Sequence, residues 1–286
     1  MSRRSEVACE VVQVSGPSQT DEHAAPPARH HASRADRRPH GCSKDGGVSD
    51  RELHLLCAGA ARGLVGALRD EFMRSTGARI QASFGAVGTM KEALEDGSRC
   101  DVMVVTAAMV ASLQAAGLLE AGTSVDLGRV RTGVGVRVAD PHPDVRSTAT
   151  LRGALLAAPA IYFPDPMRST AGIHFASVLR ELGIADAVVA RCRTFPNGAA
   201  AMRELAASGL AGALGCTQVT EILDTPGIEL VGALPATFEL ATAYTAAIGA
   251  HARHPMLAEQ FIATITGPAS RALRLRCGFE LDDDLP

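Results

Sequence analysis

The chain has 286 residues, 47% of them hydrophobic, with a formal net charge of −3, no Trp and only two Tyr. That apolar content supports a sizeable core, in one large or two smaller domains. The near-neutral charge gives no electrostatic case for a nucleic-acid partner, the scarcity of aromatics argues against a stacking site for sugars or bases, and no run reaches the roughly 18 apolar residues of a membrane span.

Residues 1–50 are rich in Arg, His, Ser, Pro and Gly. This composition predicts a disordered tail, dispensable for folding. Its apolar patch, Val7–Val14, is broken by Glu10, so the uninterrupted core of a signal peptide is missing. A cytoplasmic location follows, the alternative being a periplasmic or extracellular one if the true start lies further in, for example at Val48. Cys9, His23, His30, His31, His40 and Cys42 are metal-capable, but their spacing fits no standard zinc pattern. No metal and no cofactor are expected. The seven cysteines are odd in number and lack close pairing, which suits a reducing compartment. Cys57 and Cys216 read as small buried hydrophobes.

Beyond the tail, the pattern predicts a strand at 53–58, a loop over 59–63, a helix over 64–76 and a strand at 80–84. Phe84–Gly88 then reads Phe-Gly-Ala-Val-Gly and opens a helix over 89–96. The turn Gly97-Ser98-Arg99-Cys100-Asp101 leads into the apolar strand Val102–Thr106. Helix starts carry unpaired N–H groups and partial positive charge, so Ala86, Val87, Gly88 and Thr89 form a candidate anion site. Thr106 would stand at a strand's carboxyl end, where open α/β sheets bind ligands. A strand over 130–138 is read as the start of the crossover between two halves. A helix over 148–157, a strand at 160–163 and a loop over 164–170 follow. Ser169-Thr170-Ala171-Gly172 opens the helix 171–182, as a counterpart of the first helix start. A helix over 200–208 and a strand over 210–215 come next. A returning strand over 238–248 and terminal helices over 255–265 and 270–277 complete the series.

Read together, these segments resemble the type 2 periplasmic solute-binding proteins, in the molybdate-binding-like branch of ABC transporter components. The resemblance covers roughly Glu52 to Phe279. It is carried by Ala86-Val87-Gly88-Thr89, by the Gly97–Val102 turn, and by Pro226-Gly227-Ile228-Glu229-Leu230-Val231-Gly232 with the turn after it. It implies an α/β fold of two lobes, with mixed sheets, flanking helices and a two-segment hinge, and a short helix at 219–223 after the strand 210–215. The expected divisions are a tail over 1–50, lobe one over 51–131 and 245–280, lobe two over 132–244, and an acidic tail over 281–286. Ala86 and Val87 stand where the family has helix-start serines, which points away from molybdate itself.

The implied ligand is a small oxyanion or organic acid between the lobes, and the implied protein partners are ABC transporter membrane subunits. The candidate ligand contacts are Gly59, Ala60, Ala61, Arg62, Ala86, Val87, Gly88, Thr89, Thr106, Arg168, Ser169, Thr170, Ala171, Gly172 and Gln218. Arg62 and Arg168 are there for bidentate carboxylate pairing. Gln218 can both donate and accept, or can serve an interlobe bond. The same branch includes aconitate isomerase, so the alternative function is a proton-shift isomerase acting on a tricarboxylate. Its acid or base candidates are His174, Asp165 and Glu221. Effector lobes of LysR-type regulators share the fold, but residues 1–50 show no helix-turn-helix periodicity.

Overall fold

The computed structural model describes residues 51–281. The tail, its Cys/His cluster and the acidic residues after 281 lie outside the described residues.

The first lobe opens with β1 (Glu52–Ala58), a 3-10 turn (Gly59–Ala61) and α1 (Arg62–Thr76). It continues through β2 (Arg79–Gly85), α2 (Val87–Glu95), β3 (Val102–Thr106) and α3 (Ala107–Ala115). β1 pairs in parallel with both β2 and β3. Residues 59–63, expected as a loop, are instead helical almost throughout. The chain turns directly from the end of β1 into α1, which brings backbone N–H groups to the strand's carboxyl end. α3 was not foreseen. Its N-cap is Thr106, whose hydroxyl accepts the Met109 N–H at 3.3 Å.

β4 (Val125–Arg137) belongs to two sheets. Val125–Arg131 pair antiparallel with β9 (Ala241–Ile248), which also pairs antiparallel with β3. From Thr132 onward the same strand pairs instead with β7 (Leu214–Gln218) and β8 (Ile228–Ala233). The chain therefore crosses between lobes inside one continuous strand, around 131–132.

The second lobe holds α4 (Thr148–Ala157), β5 (Ile161–Pro164), α5 (Thr170–Glu181), α6 (Ala185–Val188) and β6 (Cys192–Phe195). α7 (Gly198–Ala207), β7, α8 (Val219–Leu223) and β8 follow, and β5 lies in parallel between β6 and β7. After β9, α9 (Pro255–Thr266) and α10 (Arg271–Arg276) pack back on the first lobe. The strand expected over 210–215 begins only at Leu214. Gly209 and Gly212 both adopt left-handed φ values, 66° and 75°, and make a turn of that stretch.

Each lobe has its own core. Leu53, Leu55, Leu64, Phe72, Met103, Leu127 and Phe261 are fully buried in the first, where Phe72 and Phe261 meet edge to face at 5.1 Å. The second lobe packs Val134, Leu151, Phe163 and Phe175 on one face of its sheet. Met202, Leu205 and Ile222 pack on the other. On β4, Val134 and Val136 face the first of these cores, and Gly135 between them lies against Ile222 and Ile228 of the other. Cys57 and Cys216 are buried, and burial pushes both thiols well up. Five free cysteines lie among the described residues.

The Gly97–Asp101 turn has a structural task. The Asp101 carboxylate is fully buried and accepts the backbone N–H of His54 at 2.8 Å and of Arg253 at 2.7 Å. It thereby ties β1 to the segment leading into α9. Among the described residues no helix is long and apolar enough to cross a membrane.

Candidate functional site

The loops at the carboxyl ends of β1, β2, β5, β6 and β7 converge on one small cavity between the lobes. Gly59, Ala60, Gly85, Ala86 and Val87 line it from the first lobe. Ser169, Thr170, Ala171, Asn197, Gln218 and Glu221 line it from the second, with Tyr244 of β9 behind. Its volume is about 10 Å³ for the centre of a water molecule, room for roughly one water. A larger concavity of about 640 Å³ lies away from these loops, between α9 and residues 120–125. Its walls include Val125, Met256 and Ile262, and its lining is mostly apolar side chains of α9 and the 120–125 segment.

Five helical starts bound the small cavity, among them that of α8, whose N-cap is Gln218. The N-cap of α2 is Ala86, which has no side-chain oxygen and leaves the first N–H groups without a side-chain cap. Ser169 caps α5, its hydroxyl accepting the Gly172 N–H at 3.5 Å. Asn197 caps α7 by accepting the Ala200 N–H at 2.9 Å. The 3-10 turn at Gly59 has no side-chain cap.

Glu221 occupies the centre of this arrangement. It is 5% exposed, and Thr217 donates its hydroxyl to Oε2 at 2.5 Å. Burial raises its proton affinity above the ordinary carboxylate range. The Thr217 bond, the backbone N–H groups of Ala199 and Gln218, and the charge of Arg62 pull it the other way. Its head group abuts two glycines from opposite lobes. A Cβ at Gly59 would collide with Oε1, and one at Gly198 with Oε2 and the Thr217 hydroxyl. The carboxylate thus sits at the starts of both the 3-10 turn and α7, where an anion is favoured. Tyr244, bonded to Gln218, has its hydroxyl pushed up by burial and by the neighbouring Glu221.

The sequence candidates fall into two groups. Gly59, Ala60, Ala86, Val87, Ser169, Thr170, Ala171 and Gln218 line the cavity, and so does Glu221. Ala61, Arg62, Gly88, Thr89, Thr106, Arg168 and Gly172 do not. Arg62 pairs with Asp224 at 2.9 Å, and Arg168 pairs with Glu92 at 3.1 Å. Both arginines therefore bridge the lobes. The Gly88 N–H is spent in the same way, donating to the Arg168 carbonyl at 3.1 Å. Thr106 is occupied as the α3 cap. Gly172 lets α5 approach the Pro164 and Asp165 carbonyls, which a Cβ would strike.

Gln218 serves the crossover. With the amide oriented to suit its neighbours, the NH₂ donates to Val130 O at 3.3 Å and Arg131 O at 3.2 Å. His174 bonds through Nε2 to the Phe238 carbonyl at 2.8 Å, away from the cavity. Asp165 accepts the Met167 N–H at 2.7 Å and so shapes the loop before α5. Of the three acid or base candidates only Glu221 lies in the cavity. Asn197 and Tyr244 were missed. The signal for Asn197 was present in Asn-Gly opening a helix, whereas nothing local marks Tyr244.

Two α/β lobes sharing a crossover strand, with helix starts facing each other over a closed cleft, define a two-lobed binding-protein class. Residues 53–280 match the model of the bacterial extracellular solute-binding protein family, and the chain belongs to that family. The fold is that of the periplasmic molybdate-binding protein of Azotobacter vinelandii. The two share 20% identity and a TM-score of 0.67, covering 80% of this chain and 99% of that one. The sulfate-binding protein SubI of Mycobacterium tuberculosis is similar at 16% identity and a TM-score of 0.64, over 82% and 88% of the two chains. A curated relative, the aconitate isomerase of a Pseudomonas species, is 24% identical over 216 residues, 73% of this chain and 80% of that relative.

Proposed function

We propose that this protein captures a small anionic solute, a carboxylate or oxyanion, between its lobes and presents it to an ABC transporter's membrane subunits. The observation that carries this reading is the convergence of helix starts from both lobes on one cavity, with the hydroxyls of Ser169 and Thr170 at its wall. The start of α2 has no side-chain cap, and beside the Gly88 N–H taken by Arg168 its other first N–H groups supply donors that an anion satisfies better than a neutral ligand does. A ligand larger than one water needs the lobes to part and close again around it. The test is a thermal-shift panel of molybdate, tungstate, sulfate and di- and tricarboxylates. A ligand that binds only the folded state raises its apparent stability by mass action. No shift with any of these at millimolar concentration would refute the reading.

A second reading is isomerisation of a tricarboxylate, in keeping with the aconitate isomerase relative. Glu221 favours it, being a buried carboxylate in the cavity with raised proton affinity. In this reading Glu221 takes a proton from the methylene carbon beside the double bond. The electron pair shifts along the allyl unit, and the proton returns at its far carbon. Chromatographic product analysis on trans-aconitate decides it. Turnover that Glu221→Gln abolishes while binding persists supports the isomerase. Binding of trans-aconitate without turnover leaves capture as the function.

A further inference from the structure

The cavity differs from a simple anion pocket in already containing a carboxylate of its own. Glu221 is held by Thr217 from its own lobe and wedged against the first turns of two helical elements, one from each lobe. The groups facing it are Arg62 on α1, Tyr244 on β9 with Cys57 of β1 beyond, the Ala199 N–H on α7, and Gln218 next to it in chain. The single cation among them, Arg62, has its guanidinium turned to Asp224. An incoming anion therefore meets a negative group, or one that must take up a proton, at the place where donors are otherwise densest.

We infer that Glu221 sets the ligand class: the site takes an organic acid that carries a hydroxyl beside its carboxylates, and it disfavours fully ionised tetrahedral dianions. The hydroxyl donates to the Glu221 carboxylate, while the ligand's own charges lie on Ser169, Thr170 and the uncapped start of α2. An anion without a donor faces like charge at close range in a poorly hydrated site, and it binds only when Glu221 is protonated. This inference rests on the anion-binding reading above.

Two matched pairs test it by titration calorimetry at pH 7.5, malate against succinate and citrate against tricarballylate, with sulfate and molybdate alongside. A hydrogen bond to a charged group corresponds to about tenfold to a hundredfold in affinity. The hydroxylated member of at least one pair is expected to bind about tenfold or more tighter than its partner. Sulfate and molybdate should be weaker than that ligand by about a hundredfold. In Glu221→Gln the hydroxyl preference should shrink to about threefold or less, and sulfate should tighten by about tenfold.

A readout on the unaltered protein guards against a variant that does not fold. Sulfate stays ionised from pH 8 to 6, so its binding should tighten as pH falls and take up a proton, measured in two buffers of different ionisation enthalpy. Sulfate or molybdate binding as tightly as the hydroxy acids with no proton uptake overturns the inference and leaves anion capture standing. So does an unchanged ranking in Glu221→Gln. Binding of no anion to the unaltered protein removes the capture reading, and the inference goes with it.

Discussion

Replacing Gly59 by Ala tests whether the Glu221 carboxylate bridges the lobes. The new methyl group would strike Oε1 and has ordinary space otherwise, the Gly85 carbonyl lying 3.8 Å away. The carboxylate must withdraw and weaken bonds such as that from Thr217, each worth about 1.5–3 kcal/mol when one partner is charged. Against this, Gly→Ala at a compatible backbone position stabilises by about 0.4–1 kcal/mol through the unfolded chain. Gly59→Ala alone should therefore cost about 1–2 kcal/mol. In a Glu221→Ala background the obstacle is gone, and the same change should stabilise by about 0.4–1 kcal/mol. Urea unfolding of the four proteins closes the cycle, with an expected coupling of about 1.5–3 kcal/mol. If Gly59→Ala had the same effect in both backgrounds within about 0.5 kcal/mol, the carboxylate would not be seated against Gly59 and the description of the site would fall.

Two further outcomes follow from the buried thiols and from the lobe closure. Peptide mapping after brief alkylation at pH 8 should find Cys57 and Cys216 unmodified in the native protein and Cys192 and Cys277 labelled faster, because burial both hides the first two and holds them as thiols. Label on Cys57 at the rate of Cys277 would contradict the packing of β1. Arg168→Glu should replace the attraction to Glu92 by repulsion worth about 1 kcal/mol, since the pair is half-exposed, and so speed hydrogen exchange of the Gly88 amide about fivefold. Unchanged exchange at Gly88 would mean that this pair does not hold the lobes together.

Elements with a strong local signal were legible in the sequence. The apolar run Val102–Thr106 and the helix 148–157 lie where their pattern places them, and the short helix 219–223 lies where the resemblance implies it. The helix starts at Ala86 and Ser169 were legible too, because small and hydroxyl residues before an amphipathic run describe a cap. What escaped was partner choice over long range. Arg62 and Asp224 are 162 residues apart in sequence and Arg168 and Glu92 are 76 apart, and no local pattern distinguishes an arginine waiting for a ligand from one already paired across a cleft. Glu221 was visible only as one of two carboxylates among three acid or base candidates. Its burial depends on Gly59 and Gly198, whose lack of a side chain has meaning only once three segments are brought together.

The bond from the Gly88 amide to the Arg168 carbonyl, with the Arg62–Asp224 and Arg168–Glu92 pairs, holds the lobes shut with no ligand between them. Measured affinity then depends on how often the molecule is ajar as well as on contacts at the ligand. With about one molecule in a hundred receptive, the apparent dissociation constant is about a hundredfold above the intrinsic one. Loosening a residue that never touches ligand would therefore tighten binding, and the strength of the clasp tunes the solute concentration at which the protein fills.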